Sequence, residues 1–301
     1  MKKTLGILSF GLLAGSAYSQ FAITMDGTRD ANYGGGGQGN VQTSPTGFGN
    51  STTGTVGNAN GSELDNGIGE WGNDGYFYIF LGGNLETNFN KLELFIDAQA
   101  GGQNVLRGDN PNVDFNGLNR MAGLTFDSTF EPEFWFSITG NGTDLFANAA
   151  ELLTSGGGQG NYLGQGTYGS NGALTGGGAF GAGIIATINN SNIGGVDGSS
   201  ATGAGAVNTG IEIGIPLALL GNPTWGNGVK VSAFINGGGH DFVSNQVLGG
   251  VPAGTGNLGD PSFVNFNNQT GNQYFVVPEP ASMIALTLGA FGLIARKRKQ
   301  K

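Results

Sequence analysis

The stretch "KLELFID" (Lys91 to Asp97) decides the fold. Leu92, Leu94 and Ile96 fall on one side of an extended chain, and Lys91, Glu93 and Asp97 on the other. Alternation of this kind is a strand with one buried face. Outward from it the same reading recurs. "EFWFSI" sets Phe134, Phe136 and Ile138 against Trp135 and Ser137. "GIEIGIP" sets Ile211, Ile213 and Ile215 against Glu212 and Gly214, and "VKVSAFI" sets Val229, Val231, Ala233 and Ile235 against Lys230, Ser232 and Phe234. "YFYIFL" (Tyr76 to Leu81) is apolar on both sides, as in a strand at the middle of a sheet. "FAITMDG" reads as a first strand and "NQYFVV" as a last one, with weaker strands at 121–126, 184–188 and 242–247. Only 145–153 and 216–220 read as helical.

These patterns predict an all-β protein: one antiparallel β-sandwich, jelly-roll-like, over residues 20–277. Among the 301 residues there are 61 Gly and no strict three-residue period, so collagen is excluded and long loops are expected. The loop-like stretches are 34–61, 155–178 and 194–209. Twenty Phe, seven Tyr and three Trp supply a core, and the lack of cysteine excludes disulfides, thiol nucleophiles and Zn–Cys sites.

The two ends differ from this body. Lys2 and Lys3 precede an apolar run, and small residues follow at Ala17 and Ser19. That order predicts a signal peptide over 1–19, a signal helix cut between Ser19 and Gln20 by signal peptidase. The far end reads "VVPEPASMIALTLGAFGLIARKRKQK". Residues 281–295 are uncharged and apolar, about 22 Å as a transmembrane helix, short of a ~30 Å hydrocarbon core. Arg296, Lys297, Arg298, Lys299 and Lys301 follow and favour the cytoplasmic side. With both ends removed, five basic residues face twenty acidic ones, a body near −15. Nucleic acid, which needs clustered cations, is not an expected partner.

The order of Pro278-Glu279-Pro280, apolar span and basic tail over 278–301 resembles the PEP-CTERM sorting signal. That resemblance implies an exported protein, transiently anchored in the inner membrane through 281–295 and cut by exosortase, a membrane peptidase. It implies delivery to the cell surface or to an extracellular exopolysaccharide matrix. The body is similar to secreted sandwiches of the DOMON and family-9 carbohydrate-binding type, on "MDG", "DGYFYIFLGGNL", "KLELFIDAQAGGQNVL" and "GIEIGIPLALLG". By that resemblance Asp26 and Asp97 are candidate Ca²⁺ ligands; as plain residues they are equally good caps for backbone N–H groups.

Flat rings stack on pyranose faces, so Trp71 ("GEWGNDG"), Trp225 ("NPTWGNG") and Trp135 are the candidate glycan-binding residues; the alternative is that they cap the core. "NPNVDFNG" sets Asn112, Asp114, Asn116 and Gly117 in an EF-hand-like order, but Gly123 stands where a bidentate Glu belongs, and an Asn-rich turn is the better reading. His240 is the only histidine and its flanks signal no triad. The expectation is a non-catalytic exported protein, with exopolysaccharide as a candidate ligand. The alternative is a secreted carbohydrate-active enzyme using a carboxylate pair, Glu131 with Glu133 or Glu212 with Asp97.

Overall fold

The computed structural model describes residues 23–33, 40–50, 53–223 and 228–278. The expected signal peptide with Ser19 and Gln20, Trp225, Glu279, Pro280 and the apolar span all lie outside these residues. Among the described residues no helix is long and apolar enough to cross a membrane.

The body is two antiparallel sheets. The first runs in the order β1 (Asn40–Val41), β2 (Glu63–Trp71), β3 (Tyr76–Asn84), β10 (Gly210–Pro216), β9 (Ile185–Ile188). The second runs β12 (Val243–Val247), β11 (Val229–Asn236), β4 (Lys91–Asp97), β5 (Phe134–Gly140), β6 (Asp144–Glu151), β7 (Gly160–Thr167), β8 (Thr175–Gly176). β13 (Phe275–Val277) pairs with the start of β11, on the edge whose far half holds β12.

One core lies between the sheets. Phe77, Ile79, Leu81, Ile211, Ile213 and Ile215 from the first meet Leu92, Leu94, Ile96, Phe134, Phe136 and Val231 from the second. These are the apolar positions of the alternating segments, and their removal from water is the main stabilising term.

The outer face of the second sheet is where the sequence reading departs most from the structure. Phe95, Trp135, Ala150 and Phe234 point away from the shared core, yet they are buried under Leu118, Met121, Phe126, Phe130 and Phe266 from the long connections. Those connections cover the β11, β4 and β5 part of the face. The first sheet has a smaller cover of the same kind, Met25 and Tyr33 over Tyr78 and Phe80.

Several local expectations are corrected. Most of 145–153 belongs to strand β6, which ends at Glu151, because Leu145, Ala147 and Ala149 alternate into the core; alanines with helical propensity yielded to tertiary packing. Pro216 ends β10 and a turn follows it. Stretch 155–178 holds β7 and β8, and β2 was hidden by glycines that admit close packing. A Cβ at Gly67 would lie 2.7 Å from Leu248 Cδ1. The first described residues, 23–27, form no strand, and 121–126 contributes only isolated bridges at Thr125.

Candidate binding cleft

The β5, β6 and β7 part of that outer face is left open. Thr139, Phe146, Asn148 and Tyr162 stand outward there. With Lys91 of β4, Phe89, and Asp114 and Phe115 from the 98–133 connection, they line a cleft of about 430 Å³. Phe115 is 85% exposed, Phe89 48% and Tyr162 38%, which leaves three aromatic rings at one opening. Phe89 and Phe146 are 6.3 Å apart between centroids.

The wall that carries Phe115 is built with care for its backbone. Asp114, Phe115 and Asn116 have φ of +46°, +54° and +70°. Three successive non-glycine residues in the left-handed region cost of order 1–3 kcal/mol each and persist only where their surroundings hold them. What holds them is a buried ionic cluster. Lys91 Nζ is 3.0 Å from Asp114 Oδ1, and Ser137 Oγ donates to Asp114 Oδ2 at 2.7 Å. His240 Nε2 pairs with Asp114 Oδ2 at 3.1 Å and His240 Nδ1 with Glu93 Oε1 at 2.7 Å. Trp135 Nε1 donates to Glu93 Oε2 at 2.8 Å, and Asn236 Nδ2 to Glu93 Oε1 at 3.1 Å.

Two cations and two carboxylates thus neutralise one another out of water. Burial alone would lower the His240 pKa, but the nearby charges of Glu93 and Asp114 raise it to about 9. Burial would raise Asp114, and His240 and Lys91 instead hold it far below the usual carboxylate range. The ring of His240 also fixes its neighbour's size: a Cβ on Gly117 would lie 2.8 Å from His240 Nε2.

A second, polar cleft of about 820 Å³ lies at the opposite end of β4, lined by Asp97, Gln99, Thr129, Glu131, Asn222 and Lys230 among others. Asp97 Oδ2 is 2.8 Å from Lys230 Nζ and also accepts from the Glu131 N–H at 3.3 Å. Beside it, Glu133 accepts from the N–H groups of Ala98 and Gln99 at 2.9 and 3.1 Å. Burial raises Glu133 to about 7, those two N–H groups oppose the rise, and the Asp97 charge adds to it.

The candidate residues fall in different places. Trp135 is fully buried, so no saccharide reaches its ring; its outward position in β5 is roofed by the long connections. Trp71 closes β2, packs edge-on against Phe77 at 5.2 Å, and donates Nε1–H to Pro278 O at 3.0 Å. Asp26 accepts from Thr28 N–H at 2.7 Å, a turn cap. Its own N–H and that of Gly27 donate to Glu212 at 2.9 and 2.7 Å. Glu212 and Asp97 do not converge. Ile211 and Leu94 share the core, so these carboxylates lie on opposite outer faces. Among the described residues no group of three or more His, Cys, Asp or Glu is arranged to hold a metal ion.

Sequence reasoning missed Phe89, Phe115, Phe146 and Tyr162. Phe146 sat in a stretch read as helical, and Phe115 in a turn considered only for its oxygens. The lone histidine was the available signal. A single His with Asp114 and Glu93 at distant positions is a cluster that only folding assembles.

No curated protein and no solved structure matches the chain, so the likeness to DOMON and family-9 sandwiches gains no support from a relative. Residues 276–299 match the PEP-CTERM protein-sorting motif. The first residues of that match, Val276 and Val277, already belong to β13. A motif of this kind is recognised by exosortase during export, with transient membrane association. The chain therefore carries, beginning in the last strand of its second sheet, a PEP-CTERM sorting motif, which indicates a secreted protein sorted by exosortase.

Proposed function

We propose that the body is a non-catalytic binding module, displayed at the cell surface or in the extracellular matrix, whose aromatic cleft takes a segment of neutral polysaccharide. The observation that carries this reading is Phe115, 85% exposed on a left-handed turn that a buried ionic cluster holds against the sheet. An exposed apolar ring on backbone of this cost has no use in packing, and non-glycine strain of this kind clusters at ligand clamps. Phe89, Phe146 and Tyr162 offer further ring surface, and Asn148 lines the same cleft with a polar amide. A body near −15 repels acidic polymers, so the ligand is neutral.

Affinity electrophoresis through gels cast with neutral and acidic polysaccharides tests this. Retardation by a neutral polymer, weakened by Phe115→Ala and Tyr162→Ala with unfolding temperature unchanged, is expected. Unretarded migration in every gel, or retardation indifferent to both substitutions, refutes it.

The carboxylate-pair enzyme keeps one supporting observation, Glu133 at about 7 beside Asp97 at the larger cleft. Against it, Lys230 and two main-chain N–H groups already engage these carboxylates. Polysaccharide turnover abolished by Glu133→Gln would establish that reading instead.

A further inference from the structure

The first sheet contains a second buried acidic cluster, none of whose residues lines either cleft. The pairing of β2 with β3 slips between Leu64 and Asn66, which makes Asp65 a bulge residue. Bulges re-aim a side chain. Here Asp65 is fully buried, as is Asn84 at the end of β3, and Glu63 is 1% exposed.

The loop after β9 closes over them. Asn192 Nδ2 lies 3.1 Å from Asp65 Oδ2, 3.4 Å from Glu63 Oε1 and 2.7 Å from Gly194 O. One amide nitrogen with two hydrogens thus sits where three oxygens converge. Asn84 points into the same place: its Nδ2 donates to Glu63 Oε1 and, at 3.2 Å, to Asn192 O. Its amide oxygen is buried and has no partner. A buried acceptor without a donor is unfavourable, and a cation would satisfy it.

The oxygens of this cluster are two carboxylates, a side-chain amide and main-chain carbonyls, all hard ligands of the kind Ca²⁺ takes at 2.3–2.6 Å. No Lys, Arg or His among the described residues forms an ion pair with Asp65. The chain also makes room. At Gly195, φ is +90° and a Cβ would stand 1.9 Å from Asp65 Oδ1, so only glycine lets the loop approach the carboxylate this closely.

We propose that Glu63, Asp65, Asn84 and the carbonyls of Asn192 and Gly194 form a Ca²⁺ site that staples the connection between β9 and β10 onto the first sheet. The ion displaces the Asn192 amide nitrogen, and the Asn84 amide turns over so that its unpartnered oxygen, not its NH2 group, faces the ion. The connection is long and carries only one short 3₁₀ turn, Ala204–Ala206, so a cation at its root supplies order that its glycines do not. The site is distinct from Asp26 and Asp97, and stands whether or not the aromatic cleft binds glycan.

The test is calorimetric titration of the EDTA-treated, dialysed full chain with CaCl₂, with thermal unfolding and amide hydrogen exchange in parallel. Expected are saturable heat with Kd at or below about 10⁻³ M, the range of extracellular modules, and a rise of several degrees in unfolding temperature. Slower exchange at Val196 N–H, which donates to Asp65 Oδ1, is also expected. Asp65→Asn and Asn84→Ala should each weaken binding at least tenfold, while Asp97→Asn and Asp26→Asn leave it intact. Should either cluster variant fail to fold, hydrogen exchange on the unaltered chain decides the matter. The proposal is overturned if there is no heat and no change in exchange around Val196. It is equally overturned if binding survives both cluster substitutions or is lost with Asp97→Asn.

Discussion

His240 Nε2 lies 3.1 Å from Asp114 Oδ2, and this pair ties the turn between β11 and β12 to the loop that carries Phe115. Both side chains are almost wholly buried, and each meets a second charged partner, Glu93 and Lys91. Removing one member strands the others. Asp114→Ala should destabilise the body by about 3–5 kcal/mol, the cost of an uncompensated buried charge. Denaturant unfolding followed by tryptophan fluorescence reads it directly. A loss below about 1 kcal/mol would mean that the cluster does not hold the loop.

Gly117→Ala tests the same contact by volume rather than charge. The added methyl group would stand 2.8 Å from the imidazole, and the ring has nowhere to go between Glu93 and Asp114. Overpacking of this kind costs about 1–3 kcal/mol. A lowered unfolding temperature together with a lowered His240 pKa, followed by NMR, is the expected pair of results.

Phe115→Ala should behave in the opposite way. With 85% of the residue in solvent, its loss leaves the unfolding temperature unchanged within about 1 °C. Neutral-polysaccharide retardation should nonetheless weaken by about three- to tenfold, the worth of one aromatic contact. Equal losses of stability and binding would show that the ring is part of the core.

Stability should fall as pH rises from about 5 to 9. In the calcium-free protein, burial raises Asp65, Glu133 and Glu212 each to about 7, and Glu93 with Asp114 overcomes burial to raise His240 to about 9. All four groups bind protons more tightly folded than unfolded. Their contribution is therefore complete below the unfolded values and is lost as pH passes through the folded ones. Asp114 acts the other way, but only in strong acid. Unfolding temperatures measured across this range at constant salt should decline steadily, and a maximum near pH 8 would contradict the assignment.

The legible parts of the fold were those where one strand face meets the core and the other meets something polar. Lys91 to Asp97 and Gly210 to Pro216 fall where alternation puts them. β2 was not legible because "ELDNGIGEW" places glycine where the opposite sheet comes closest, so its inward face shows little apolar pattern. The outer roof was not legible either. Trp135 and Phe234 look surface-facing until residues far along the chain, Met121 and Phe266, arrive to cover them. The tryptophans suggested ring stacking by residue type alone, while the exposed rings proved to be phenylalanine and tyrosine brought together by a charged cluster. Spacing along a chain carries no trace of such a meeting.

The hydrogen bond from Trp71 to Pro278 O has a consequence for handling at the membrane. Val277 is the last residue of β13, Pro278 is gripped by an indole, and Glu279 comes next in the chain. The sorting motif thus begins inside the sandwich: its first two residues are ladder residues of β13 and its third is held by an indole. A protease that cut on the N-terminal side of Pro278 would have to part the last strand from its sheet.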